Sequence, residues 1–367
     1  MAYDLAPISP TYVTLHGIQP RVSPKQKAES EHYVQCSHHG HPQIDSRLPP
    51  RLTSPIAILN ATSSAPEPNS TNAIIIEYCR RRLYVQPVLW TPKQLELLES
   101  ELVDVDFPSL PKETDATYGH AVRAATQLRK SCMPEATDSV VRQLLAACKV
   151  EYLGSHELLS FHFGHHAIDL RTDGLFASRS TTPSLAYINL DSFHSFRNEC
   201  IRRKFLGRST HRRKGAQNYP IARLIDKSFR CLQPEKEAEE PYMVAILIAL
   251  AQQQRRQHQQ RKNSISESGE VSSARQSNLY TIPRPGEQDK PLLSKSFKVC
   301  LLAVTGTIAP KLYFYAARIP SQFLDKFDLP SKFSPSGPIL ISYYSVPPPN
   351  PGKLPKKLYC ALHAPIE

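Results

Sequence analysis

The chain has 367 residues, with 45 lysines and arginines against 33 aspartates and glutamates, a formal charge of +12. That surplus favours an acidic partner such as nucleic acid, an anionic surface or an acidic protein. The 13 glycines argue against folds built on glycine-rich phosphate loops, and 33 prolines, clustered toward both ends, imply substantial unfolded stretches. Nothing at the N-terminus reads as a signal peptide, and eight scattered cysteines show no paired spacing, so reduced thiols inside the cell are expected.

Residues 1–72 are rich in Pro, Ser, His and Gln and read as a disordered N-terminal region. His32, Cys36, His38, His39 and His41 have metal-capable side chains but lack the two spaced ligand pairs of a structural zinc site, so no metal site is assigned. Ala73–Tyr78 looks like a strand. Arg80, Arg81 and Arg82 then lead to Thr91-Pro92-Lys93-Gln94, which reads as a capping box with proline at the first helical position. Leu95, Leu98 and Leu102 continue at helical spacing. The run from Arg80 to Glu99 resembles the basic arm and first helix of a homeodomain. The recognition-helix motif is absent, and Trp90 is the only tryptophan, so the likeness implies no homeodomain.

Two more helices are expected, over Asp115–Cys132 and Thr137–Val150, the second with an apolar stripe of Val140, Val141, Leu144, Leu145 and Cys148. The densest polar chemistry follows. His156-Glu157-Leu158-Leu159-Ser160 lacks the second histidine of a zincin motif. Leu159, Phe161 and Phe163 alternate with Ser160, His162 and Gly164, as in a strand with His162 opposite the buried face. Were the protein a hydrolase or a degenerate nuclease-like enzyme, His162, His165, His166 and Asp169 would be the candidate acid–base groups.

Leu185–Leu190 reads as a strand, and Phe193–Lys204 and Ile221–Leu232 as helices. Arg202-Arg203-Lys204 and Arg212-Arg213-Lys214, with Arg208 between them, resemble a bipartite nuclear import signal. The same concentrated charge would attract phosphates.

The core is placed at 241–346. An acidic stretch (Glu235, Glu237, Glu239, Glu240) precedes Pro241, and Tyr242–Ala251 is unbroken apolar residues, too short to span a bilayer at roughly 20 residues. A helix apolar all round is a buried one. Gln252–Arg256 reads as its charged C-terminal end, and 262–290 as a disordered insert. Phe297–Thr305 and Lys311–Ile319 form a hairpin, Ser321–Phe327 a short helix, and Ile339–Val346 a third strand.

This order resembles the restriction-endonuclease-like core. That family's catalytic acids are missing, since neither hairpin strand contains Asp or Glu and no Asp or Glu in the chain has Lys two positions later. No dinucleotide, phosphate-loop or nucleophile-elbow motif is present either. Pro241–Arg256 and Leu312–Tyr344 are similar to segments of a filamentous-fungal family with no assigned activity, which implies a core and no mechanism.

The expected fold is therefore α+β. A buried central helix packs on a small, mainly antiparallel sheet, with a mixed region at 73–232, helical over roughly 90–153, and a core at 233–362. The expected function is a non-enzymatic, intracellular and preferentially nuclear binding protein for nucleic acid or an acidic partner. Arg202, Arg203, Lys204, Arg208, Arg212, Arg213 and Lys214 would carry the charge, with no cofactor, membrane insertion or small-molecule ligand. A pure interaction scaffold is the remaining alternative.

Overall fold

The computed structural model describes residues 65–78, 85–107, 119–130, 134–154, 159–178, 182–206, 219–269, 295–306, 310–346 and 352–364. In chain order the strands are β1 (Ser100–Asp104), β2 (Glu151–Gly154), β3 (Leu159–Phe163), β4 (His166–Leu170) and β5 (Gly174–Ala177), then β6 (Leu185–Asn189), β7 (Ser296–Thr305), β8 (Lys311–Pro320) and β9 (Ile339–Val346). The helices are α1 (Thr71–Glu77), α2 (Pro92–Leu97), α3 (Gly119–Lys130), α4 (Pro134–Ala147) and α5 (Leu190–Leu206), then α6 (Tyr219–Leu232), α7 (Pro241–Gly269), α8 (Ser321–Asp328) and α9 (Leu354–His363).

Helices and sheet are both present, as the α+β reading requires, but the sheet is large. Seven strands lie in the order β1-β9-β8-β7-β6-β5-β2, and β3–β4 is a separate hairpin. β1–β9 and β6–β7 pair in parallel, and the other neighbours are antiparallel. The sequence reading missed this size because β1, β2 and β5 are each only four or five residues long. Strands that short carry little periodicity.

The parallel β6–β7 pair needs a long crossover, and α5, α6 and α7 fill it. Strands from 73–232 and from 233–362 consequently share one sheet. The continuous apolar runs of β7 and β8 follow from burial on both faces. Val299, Leu301 and Ala303 join the core beneath α7, while Cys300, Leu302 and Val304 join a second core covered by α3, α4 and α9. The stretch expected as a helical N-terminal part is divided: α2 packs with α7 on one side of the sheet, β1 joins the sheet, and α3 and α4 form a layer on the far face.

Two local expectations are corrected. Ala73–Tyr78 falls on helix α1 rather than a strand. Ser70 Oγ accepts from Ala73 N at 3.3 Å, and Asn72 N donates to Pro330 O at 2.8 Å. The cap and this tertiary anchor outweigh the β preference of three consecutive isoleucines. The capping box on α2 forms, with Gln94 Oε1 accepting from Thr91 N at 2.7 Å. However, the helix stops at Leu97, Glu99 turns to φ 53°, and Leu102 lies in β1 opposite Ile341.

Helix α7 behaves as its sequence demands. Every residue from Tyr242 to Ala251 is buried, between the sheet and a cover that includes β3, α2 and α8. It also continues to Gly269, so 262–269 is helical rather than an unstructured insert, and residues 270–294 lie outside the described set. Its apolar segment ends where polar and charged side chains reach neighbouring elements. Gln252 hydrogen-bonds both N and O of His162 at 2.9 Å, and Gln254 Nε2 donates to Pro183 O and Lys298 O at 3.1 Å. Arg255 donates to Asp325 at 2.7 Å and pairs with Asp328. The polar end of α7 is a docking surface for neighbouring elements.

At the opposite end, Arg197 of α5 and Glu240 form a buried two-point ion pair, 4% and 1% exposed, with one N–O distance of 2.7 Å. Arg197 also donates to Val88 O at 2.9 Å and Leu232 O at 3.3 Å, and Glu240 accepts from Tyr242 N at 3.3 Å. Removing one partner strands a buried charge. Arg197→Ala is therefore expected to lower the unfolding free energy by about 3–5 kcal/mol in urea titrations. A loss near zero would mean that water reaches Glu240.

Candidate functional site

The polar residues of 156–169 are distributed by the register of the β3–β4 hairpin. Ser160 pairs with Asp169, His162 with Ala167, and Phe163 with His166. Side chains alternate across a strand, so His162, Ser160 and Asp169 share one face while His166 lies on the other. His165 is exposed beside Gly164, whose φ of 56° makes the tight turn. Asp169 is exposed and accepts a hydrogen bond from Ser160 Oγ at 2.8 Å. His162 is half-buried, its backbone clamped by Gln252. Burial, and then the positive charge of Arg256, hold its pKa below the ordinary imidazole value despite the carboxylates of Asp328 and Asp169. What this face can do chemically is exchange a proton at a neutral imidazole. The histidines and Asp169 are not gathered around one point. Among the described residues, no group of three or more His, Cys, Asp or Glu side chains could hold a metal ion.

Of the predicted basic residues, Arg202, Arg203 and Lys204 lie near the C-terminal end of α5, the last two in its final turn, and all three are exposed. Arg203 Nε pairs with Glu199 at 2.7 Å across one helical turn. Arg208, Arg212, Arg213 and Lys214 lie outside the described residues, as do Arg80, Arg81, Arg82 and the His32–His41 cluster.

A second basic surface was not anticipated. On the C-terminal half of α7, His258, Arg261 and Lys262 fall at positions i, i+3 and i+4, hence on one side of the helix. The fold brings Lys295, at the entrance to β7, into the same field. The Lys295 ammonium is pushed below its usual range by burial and then by Lys262. His258 is likewise lowered by burial, Lys295, Lys262 and Arg261. Four cationic or protonatable side chains thus share one positive field, three of them exposed and His258 partly so. The helical spacing was readable in the sequence, but assigning 262 onward to an insert hid it. The approach of Lys295 was not readable at all.

Acidic and hydroxyl groups occupy the other end of α7. In the turn Glu237–Glu239, Glu237 accepts from Thr305 Oγ1 at 2.7 Å and Tyr313 Oη at 3.1 Å, and Ala238 O accepts from Tyr315 Oη at 2.7 Å. Burial and Glu237 push Tyr313 up to about 12, so it stays a donor across the physiological range. These groups satisfy one another and fasten the helix entry to β7 and β8.

The chain matches no protein-family model, and no curated protein is similar to it in sequence. No described helix is long and apolar enough to cross a membrane.

Two measurements follow from burial. Since protonation of His162 is disfavoured in the folded state, the unfolded chain binds more protons between the lowered folded pKa and 6.5. Stability should therefore rise with pH through that window and level off above it. His162→Gln should shrink the rise, and an unchanged pH profile would place the imidazole in solvent. Among the cysteines, Cys148 and Cys300 are buried with thiols pushed up to about 12, mainly by desolvation, whereas Cys231 is exposed. A thiol reagent at pH 8 should label Cys231 in seconds to minutes, and Cys148 and Cys300 only on unfolding.

Proposed function

We propose that this chain is a non-enzymatic binding protein whose basic surfaces engage the phosphates of nucleic acid, with the nucleus as its place of action. The observation that carries the reading is the exposed cationic side of α7, where Arg261 and Lys262 follow His258 by three and four residues and share a positive field with Lys295. Exposed cationic side chains clustered on one surface raise its local positive potential and draw an anionic partner to it. The exposed Arg202-Arg203-Lys204 turn at the end of α5 adds a second cationic surface of the kind that contacts a phosphate backbone. It also supports import, through its spacing from Arg212-Arg213-Lys214. An acidic protein partner shares the same electrostatics, but charge alone would not give it the steep salt dependence of counterion release from a polyphosphate.

Binding of the full-length chain to mixed-sequence duplex DNA and to single-stranded RNA across a salt series tests the reading. Log affinity should fall linearly with log salt, and each lost duplex phosphate contact should reduce the slope by about 0.9. Neutralising Arg202, Arg203 and Lys204 together, or Arg261 and Lys262 together, should weaken binding across all sequences. If neither set changes the affinity or the slope, these surfaces are not the nucleic-acid interface.

A further inference from the structure

A cavity of about 440 Å³ lies under α1, on the side of the molecule where α2, the β3–β4 hairpin and α8 meet. Trp90, Phe161 and Phe327 form its aromatic wall, and Phe161 packs edge-on against both of the other rings at 5.5 and 5.4 Å. Ile74 and Ile75 of α1 face it from above. Neither isoleucine belongs to the hydrophobic core. Helix α1 is held over the cavity by polar ties instead. Thr71 Oγ1 donates to Lys326 O at 3.1 Å, and Asn72 Nδ2 to Ser331 Oγ at 2.8 Å. An apolar volume of this size forfeits packing that a ligand would restore, and at ~30 Å³ per water-sized group it holds roughly fifteen heavy atoms.

The cavity is not uniformly apolar. Its charged lining residues are Glu99, Lys326 and Lys332. Lys326 is spent on Glu99 at 2.7 Å, which leaves the exposed Lys332 as the surplus charge. Ser336 also lines the space, and its hydroxyl is buried without a hydrogen-bond partner. An apolar body, one net positive charge and one unsatisfied hydroxyl describe a particular kind of guest.

We infer that this cavity is a binding site for a monoanionic amphiphile, namely a free medium-chain carboxylic acid. The chain lies against Trp90, Phe161 and Phe327, and the carboxylate accepts from Lys332 and from the Ser336 hydroxyl. This site is independent of the basic surfaces, and neither composition nor any sequence motif indicated it.

Trp90 is the chain's only tryptophan, so its fluorescence reports on this wall alone. Full-length protein titrated with 10-bromodecanoate should show saturable quenching below the micellar range, reversed by decanoate and not by decyltrimethylammonium. Lys332→Gln, on an exposed side chain, should weaken 10-bromodecanoate about threefold to fivefold, as loss of one surface charge contact does, and leave 10-bromodecanol unchanged. Ile75→Phe should abolish the quenching by filling the space. Absent or non-saturable quenching would overturn the inference. So would quenching that Lys332→Gln leaves unaltered, or equal competition by the cationic amphiphile.

Discussion

The ion pair between Arg197 and Glu240 joins α5, the end of α6 and the start of α7 at one buried point. A guanidinium and a carboxylate are both withdrawn from water, which is tolerable only because each is paired at two points and further hydrogen-bonded. The donors of Arg197 reach Val88 O, just before Trp90, and Leu232 O at the end of α6, while Glu240 accepts from the first turn of α7. The face of the guanidinium lies 4.5 Å from the Phe193 ring, and Phe193 stacks on Tyr242 at 4.4 Å. One side chain in the middle of α5 therefore fastens the end of α6 and the start of α7 to that helix. An apolar helix alone has no such preference, because hydrophobic burial is non-directional.

The far end of α7 is fixed by the same logic with weaker groups. Tyr242–Ala251 can slide or rotate at little cost while it remains covered. Gln252, Gln254 and Arg255 prevent this by hydrogen-bonding the backbone of β3, the entrances to β6 and β7, and the carboxylates of α8. Directional polar contacts at both ends thus give the helix one register. Beyond them α7 carries only exposed or partly exposed residues as far as Ser264, and there the cationic side chains gather. The proposed phosphate-binding surface lies on the extension of the core helix beyond Gln252, Gln254 and Arg255.

The two candidate binding regions differ in origin. The cationic surface uses residues close in sequence, His258, Arg261 and Lys262, joined by one distant lysine. The apolar cavity draws on α1, α2, the hairpin, α8 and the loop around Ser336, which are spread over much of the chain. Asn69 and Glu99, two of the three described non-glycine residues with positive φ, line it.

The burial of α7 was legible in the order of its residues, because ten consecutive apolar residues after an acidic stretch and a proline admit no exposed face. So were the β7–β8 hairpin, β9, the amphipathic helices and the capping box at Thr91, all set by local periodicity or turn chemistry. Relations between distant segments were set by the assembled fold. These are the seven-strand sheet completed by short β1, β2 and β5, the helical state of Ala73–Tyr78, the separation of His162 from His166 by hairpin register, and the approach of Lys295 to Lys262. Each depends on which backbone and side-chain groups meet across the fold. Local propensities contribute tenths of a kcal/mol per residue, whereas buried polar groups left without partners cost whole kcal/mol, so the tertiary partners prevail wherever the two conflict.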